Sequence, residues 1–370
     1  MKILVTGASG FVGNFLLIAL RDAGHVVRGA SRARVEQQGI DYVLSPELAH
    51  DADWSRALNG VDVVIHLAGR AHVPSKNADA ETEKVYFRIN TEGTRALAEQ
   101  AAAAGVKHFV FLSSCHAVAA ESGEILNAET SPRPLSAYGH SKLEAERAVR
   151  KALSNTACAW TILRPPLVYG KGNKANFGLL LKLVKSGIPL PLSYLRNRRS
   201  FIYVENLVDV IVVCLGNPKA FGKTYHPSDG EDVSTPELIR KIAKTNQSFQ
   251  FSAPRRLGTV GRELTTEDTE NTEVLHHVYN NHETCCLGYV NRENSHSLSA
   301  TSNSLLATPC KARLFPFPES ILKAFGHLPG LGALLKLTSS LYVDSKPLRE
   351  DLGWSPRFTM EEGLVKTLGG

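Results

Sequence analysis

With 370 residues, 43% of them hydrophobic and 21% charged, the chain can bury a core large enough for one big domain or two. Its composition is that of a globular protein and excludes a chain too polar to fold. The 42 Lys and Arg residues against 36 Asp and Glu leave a formal net charge of +6; they are scattered rather than in runs, so an anionic small molecule suits the chain and no nucleic-acid partner is expected.

Met1-Lys2 leads directly into Ile3–Thr6, a short apolar strand stopped by Gly7 with no small-residue cleavage site, so it reads as structure and not as an export signal. Phe11–Asp22 has helical periodicity and is ended by Gly24; His25–Ala30 is a second strand and Val61–Leu67 a third. Val85–Ala104 reads as one helix ended by Gly105, followed by the strand His108–Leu112. Ala137–Leu153 is a helix through Leu143, Val149 and Leu153, and Trp160–Leu163 a strand stopped by Pro165-Pro166. Alternation of this kind predicts an α/β fold, a doubly wound parallel sheet with helices on both faces. In such sheets ligands sit beyond the carboxyl ends of the strands.

After Gly170 the pattern changes. Asn176–Lys185 is helical, Pro189–Ser200 a loop rich in proline and arginine, and Phe201–Leu215 apolar. The expected organisation is a core of residues 1–170 to which 201–228 return, with 171–200 and 229–370 forming a smaller C-terminal α/β lobe. Leu257 to Cys310 fits neither part: it is rich in Thr, Asn, Ser, Glu and His without a helix or strand period. A structureless loop of that length is uncommon inside a domain and argues for a disordered insertion over 257–310. It holds His276, His277, His282, Cys285 and Cys286, but their spacing matches no standard zinc pattern, and no metal is expected.

No apolar run reaches the ~18 residues of a membrane span; Ile321 to Val343 is interrupted by Lys323, His327, Pro329 and Lys336. Six cysteines without a Cys-x-x-Cys spacing read as reduced thiols of a cytoplasmic protein.

Gly7-Ala-Ser-Gly10-Phe-Val-Gly13 lies between the first strand and the first helix. Gly7 permits the tight turn, Gly10 lets the backbone approach a phosphate, and Gly13 permits close packing of helix on strand. The helix start then offers amide donors and a partial positive charge, a place for a dinucleotide pyrophosphate. An acid at the end of the second strand would bind the ribose diol of NAD. Arg28-Gly-Ala-Ser31-Arg32 has none; Ser31 leaves room and Arg32 can pair with a 2′-phosphate, which favours NADP slightly over NAD.

Tyr138-Gly-His-Ser-Lys142 puts a phenol and an ammonium one helical turn apart. A free phenol has a pKa of about 10, too high for a base at neutral pH, and a neighbouring cation lowers it. Lys142 supplies that cation and can also hold the nicotinamide ribose. Ser113-Ser114 ends the fourth clear strand at the correct edge of the sheet; Ser114 is preferred as the hydroxyl that polarises a substrate oxygen, with Ser113 as the alternative.

Together with His66-Leu-Ala-Gly69, Asn90-Thr-Glu-Gly93 and Arg164-Pro-Pro-Leu-Val-Tyr-Gly170, these motifs resemble, in order, those of the NAD-dependent epimerase/dehydratase family of extended short-chain dehydrogenase/reductases. The resemblance implies a Rossmann core holding NAD or NADP, with Gly7, Gly10, Phe11, Val12, Gly13, Ser31, Arg32, Leu67, Ala68, Gly69, Asn90, Tyr138 and Lys142 around the cofactor. It implies a Ser114/Tyr138/Lys142 catalytic set. It also implies a nucleotide-sugar substrate met by His72, Ser114, Asn176, Phe177 and Arg199, the last a bidentate clamp on the diphosphate. A homodimer through the helices bearing Asn90 and Tyr138 is further implied.

Departures from the family pattern narrow the chemistry. Cys115-His116 stands where sugar-nucleotide 4,6-dehydratases carry an Asp-Glu pair, and Leu167 where epimerases tend to have asparagine. The expectation is therefore a reductase at C4 of a UDP-linked keto sugar. The alternative is a UDP-glucose or UDP-GlcNAc 4-epimerase with retained NAD, and a further alternative a non-catalytic dinucleotide-binding sensor.

Overall fold

The computed structural model describes residues 1–32, 37–71, 80–173, 176–252, 314–315 and 337–369. Seven strands form one parallel sheet: β1 (Lys2–Thr6), β2 (Val26–Ser31), β3 (Ile40–Leu44), β4 (Val63–His66), β5 (His108–Leu112), β6 (Ala159–Leu163) and β9 (Lys223–Tyr225), in the order β3-β2-β1-β4-β5-β6-β9. The chain winds outward in one direction from β1 and in the other from β4. Between those two strands lies the switch point, where an open α/β sheet leaves a crevice at its carboxyl edge.

Alternate side chains of the central strands feed two separate cores. On one face Ile3, Val5, Val63, Ile65 and Val110 pack with Leu16, Leu17 and Leu20 of α1 (Phe11–Asp22) and Leu207 and Ile211 of α7 (Val204–Cys214). On the other, Leu4, Val64, Phe109, Phe111 and Ile162 pack with Leu97 and Ala101 of α4 (Gly93–Ala103) and Ala145 and Val149 of α5 (Ala137–Leu153). The strands read as near-continuous apolar runs because both faces are covered.

A second sheet, β10-β8-β7, is built from β7 (Leu167–Tyr169), β8 (Arg199–Tyr203) and β10 (Asp232–Val233). β7 and β8 run parallel and β10 antiparallel to β8. Its core joins Tyr169, Phe201 and Tyr203 to Phe177 and Leu180 of α6 (Asn176–Lys185), Leu238 and Ile242 of α8 (Thr235–Ser252), and Leu364 of α10 (Met360–Leu368).

Three elements differ from the sequence expectation for local reasons. The single helix expected over Val85–Ala104 is α3 (Ala80–Tyr86), a π-helical turn Phe87–Glu92, and α4. The wide turn carries the buried Asn90, whose amide is drawn onto the backbone of Arg70. Residues 201–228 divide: β8 enters the small sheet, α7 packs on the first core, and β9 joins the large sheet. β3 was not anticipated, because it is an edge strand without a fully buried residue. The stretch 257–310 lies outside the described residues. Among those described, no helix is long and apolar enough to cross a membrane.

Candidate functional site

The glycine turn occupies the β1 side of the switch point. Gly7 has φ +70°, and a Cβ there would lie 2.8 Å from the Ala68 nitrogen. The Gly10 N–H donates to Gly7 O at 2.9 Å, and Gly10 caps α1 without a side-chain bond. A Cβ on Gly13 would lie 2.4 Å from Gly7 O and 2.6 Å from Ala8 O. The first turn of α1 is thereby pressed onto the strand-end loop, with its amides directed at a cradle that side chains would fill. These residues fit a dinucleotide pyrophosphate. Gly13→Ala is expected to weaken NADH and NADPH binding at least about tenfold in a fluorescence titration, because two backbone oxygens must move. Gly123→Ala, where an added Cβ meets nothing within 4 Å, is expected to bind as the parent does.

Phe11 and Val12 follow, half-buried. Ser31 ends β2 in a buried position and Arg32 is exposed; neither position offers a carboxylate. On the β4 side, Leu67 and Ala68 are half-buried and Gly69 is exposed, and a Cβ on Gly69 would lie 3.0 Å from Asn90 Oδ1 and 3.6 Å from Lys142 Nζ.

The two serines after β5 separate into different roles. Ser113 Oγ donates to Glu146 at 2.6 Å, and Glu146 is held by Arg164 through bonds of 2.9 and 2.6 Å. Glu146 has no exposed surface and Arg164 is 3% exposed. Removing one partner of such a buried pair costs about 3–5 kcal/mol, so Ser113 belongs to a structural network. Ser114, by contrast, accepts from the His116 N–H at 3.2 Å and acts on the Tyr138 phenol, lowering its pKa.

Tyr138 lies in the first turn of α5, which Ser136 caps by accepting from the Gly139 N–H at 3.1 Å. A Cβ on Gly139 would lie 2.4 Å from His116 O. The glycine after the tyrosine is thus what lets the helix start come down on the turn that follows Ser114. The phenol stands between two rings met edge-on, Tyr86 at 6.0 Å and His116 at 6.3 Å between centroids.

Lys142 is not among the groups that move the Tyr138 phenol in this structure. Its Nζ donates to Leu112 O at 2.8 Å and sits 4.5 Å above the Phe111 ring. Burial lowers its pKa to about 8, with Glu146 drawing it back up. Burial pushes Tyr138 up to about 12; the Ser114 hydrogen bond pulls it down, and Cys115 and Tyr86 add to the rise. Desolvation therefore outweighs every favourable partner, by about 3 kcal/mol relative to a free phenol. Tyr138 is protonated at neutral pH.

Arg199, 5% exposed, donates through Nη1 to Ser339 O at 2.7 Å, and its charge acts on the Cys115 thiol. The Cys115 thiol thus feels Arg199, which opens β8, and in turn acts on Tyr138 of α5. Phe177 is 1% exposed and packs on Tyr169 at 5.2 Å, inside the second core. Asn176 opens α6, but its side chain, like His72, lies outside the described residues. Among the described residues no group of three or more His, Cys, Asp or Glu could hold a metal; the five His and Cys positions between 276 and 286 fall outside them. The reading from sequence missed His66, Tyr86 and Gly139. A lone glycine in a helical pattern was a signal for the last; nothing local marked Tyr86.

The model of the NAD dependent epimerase/dehydratase family matches residues 3–226. The chain is similar to a UDP-glucose 4-epimerase of Vibrio cholerae, 32% identical over 99% of this chain and 94% of that protein. It is also similar to an N-acetyl-alpha-D-glucosaminyl-diphospho-ditrans,octacis-undecaprenol 4-epimerase of Escherichia coli O157:H7, 29% identical over 70% of this chain and 77% of that one. Among solved structures, a UDP-glucuronic acid 4-epimerase from Bacillus cereus in complex with NAD superposes with a TM-score of 0.66 at 19% identity, covering 100% of this chain and 98% of its own. A UDP-N-acetylglucosamine 4-epimerase from the same organism gives 0.67 at 17% identity, covering 100% and 95%. Sequence match and shared Rossmann-type fold agree: this chain belongs to the NAD dependent epimerase/dehydratase family.

Proposed function

We propose that the protein is an NAD(P)-dependent 4-epimerase of a UDP-linked sugar. The observation that supports the chemistry is the Tyr138 phenol under the influence of Ser114, one helical turn from Lys142, whose Nζ would lie 3.6 Å from a Cβ on Gly69 after β4. Relatives named as 4-epimerases weigh the choice toward epimerase over the 4-keto-sugar reductase that Ser31-Arg32 and Leu167 suggested.

In this reading the Gly7–Gly13 turn holds the pyrophosphate, Asn90 and Lys142 face the nicotinamide ribose, and Ser31 and Arg32 meet the adenosine ribose. A nicotinamide held there supplies two-electron redox chemistry at a carbinol carbon. Tyr138 holds the proton at the sugar C4 oxygen and Ser114 fixes that oxygen by hydrogen bonding. Lys142 lies in the next turn, where its charge falls on the cofactor side. Arg199 holds the diphosphate, which a planar guanidinium suits.

The test mixes the purified chain with UDP-glucose or UDP-GlcNAc, first alone, then with NAD⁺ or NADP⁺, and follows the galacto epimers by NMR. Catalytic conversion is expected. Oxidation of NADH or NADPH on a UDP-4-keto sugar with no interconversion of epimers would reject the epimerase in favour of the reductase.

A further inference from the structure

A line of buried and part-buried hydrogen bonds, passing through Asn90, runs from the residue before the glycine turn to the helix of Tyr138, with His66 at its centre. The Ala68 N–H donates to Thr6 Oγ1 at 3.3 Å, and that oxygen lies 2.7 Å from His66 Nδ1. Thr6 and His66 are register partners on β1 and β4. On the far side of the ring, Nε2 lies 2.9 Å from Thr94 Oγ1, whose own hydrogen goes to the Asn90 carbonyl at 2.6 Å. A hydroxyl has one proton to donate, so Nε2 must carry the hydrogen of the first contact. Nδ1 then accepts from Thr6, whose oxygen is already accepting from Ala68. Every donor and acceptor in the line fits this one tautomer.

The line continues through the Asn90 side chain. Its Nδ2 donates to Ser141 Oγ at 3.0 Å, and Ser141 Oγ donates to the Tyr138 carbonyl at 2.8 Å. The same amide grips the Arg70 backbone, accepting from N–H at 2.7 Å and donating to C=O at 3.0 Å. Thr6, His66, Asn90, Thr94 and Ser141 are each at most 1% exposed. The imidazole also stacks on Phe111 at 5.7 Å, the ring over which Lys142 Nζ rests.

We propose that His66 is a positioning residue: as its neutral Nε2–H tautomer it spans from the Thr6–Gly7 turn to Asn90, and so sets the spacing between the two walls of the dinucleotide groove and the Tyr138 helix. The proposal rests on the reading of that groove as a dinucleotide site. Any buried imidazole must satisfy its N–H; what distinguishes this one is where its partners lead, on one side to Thr6, the residue before Gly7, and on the other to Asn90, whose amide holds the Arg70 backbone.

Thr94→Val removes the acceptor of Nε2–H with little change of shape, and Thr94→Ser keeps it. In the full chain, Thr94→Val is expected to lower kcat about tenfold or more and to weaken NADH binding, with KM for the UDP sugar unchanged, since small displacements of positioned groups are costly. Thr94→Ser should recover kcat to within about threefold. A Thr94→Val protein of lower Tm but parental kcat and NADH affinity would overturn the proposal. A measurement free of variants is ¹⁵N NMR of histidine-labelled protein: His66 should remain the Nε2–H tautomer from pH 5 to 8. An Nδ1–H ring or an imidazolium in that range would overturn it. Should the unaltered chain bind no dinucleotide, the cofactor reading falls and the proposal with it; a correct tautomer with parental kinetics in Thr94→Val would sink the proposal alone.

Discussion

Tyr138→Phe is expected to lower turnover of the UDP sugar by about two to four orders of magnitude, the usual range for a positioned proton donor, while NADH affinity stays within about twofold. The phenyl ring keeps the edge-on contacts with Tyr86 and His116, so the fold around α5 is preserved and only the hydroxyl is lost. Its proton is not a mobile one in the protein as it stands, because burial holds the phenol up near 12. The catalytic demand is therefore on whatever lowers that value when the site is filled. The positive charge of Lys142 is available for this below its own pKa of about 8, so the parent enzyme should lose activity as pH rises through 8. Ser114→Ala should cost less than the phenol, since it removes a hydrogen bond and not the proton. Equal turnover by Tyr138→Phe and the parent would reject the assigned role, and fluorescence titration of NADH would show whether the groove had survived.

How much of this was legible in the sequence depends on how local each signal was. The Gly7, Gly10 and Gly13 pattern is local: each glycine answers to backbone within a few residues or to the adjacent strand, so the spacing alone located the turn. Strands β1, β4 and β5 were legible because burial on both faces leaves an unbroken apolar run. Edge strand β3 and the short β7 and β9 were not, since they are formed by pairing with neighbours and not by their own pattern. The spacing of Tyr138 and Lys142 gave their common helix, yet not that Lys142 turns to Leu112 O, because that carbonyl comes from another element. The choice between Ser113 and Ser114 likewise required Glu146 and Arg164, distant in sequence and joined only by the fold. His66 entered only as the first residue of the His66-Leu-Ala-Gly69 motif; its two threonine partners are 60 and 28 residues away.

The protein is also expected to lose stability steeply in mild acid, and for a reason unrelated to catalysis. His66, His226 and His108 are buried, and burial lowers their pKa values to about 3, 3 and 4. Lys142 near His66 and Arg164 near His226 oppose a second positive charge. At His108 the obstacle is geometric: Thr161 gives its hydrogen to Ala220 O at 2.6 Å, so Nε2 carries the ring proton, and Nδ1 faces the Gly216 N–H at 3.3 Å. Protonating Nδ1 would set two donors against each other. The unfolded chain takes up all three protons near pH 6.5 while the folded chain refuses them, so stability is complete above 6.5 and falls as pH drops toward 4. Asp229 works the other way. Burial raises its carboxyl to about 6, so the folded state binds one proton that the unfolded state lacks over much of the same window. The difference is two protons, a slope of about 3 kcal/mol per pH unit. Over pH 6 to 4 that is comparable with the whole stability of an ordinary domain, about 5–15 kcal/mol. Urea denaturation at pH 7.5, 6.0, 5.0 and 4.5 should show the midpoint falling at each step below 6.5. His108→Gln, which cannot take up a proton, should flatten the slope by about 1.4 kcal/mol per pH unit. A midpoint constant from pH 7 to 5 would mean that the three imidazoles are charged in the folded state, against the bonds that hold His66 and His108 neutral.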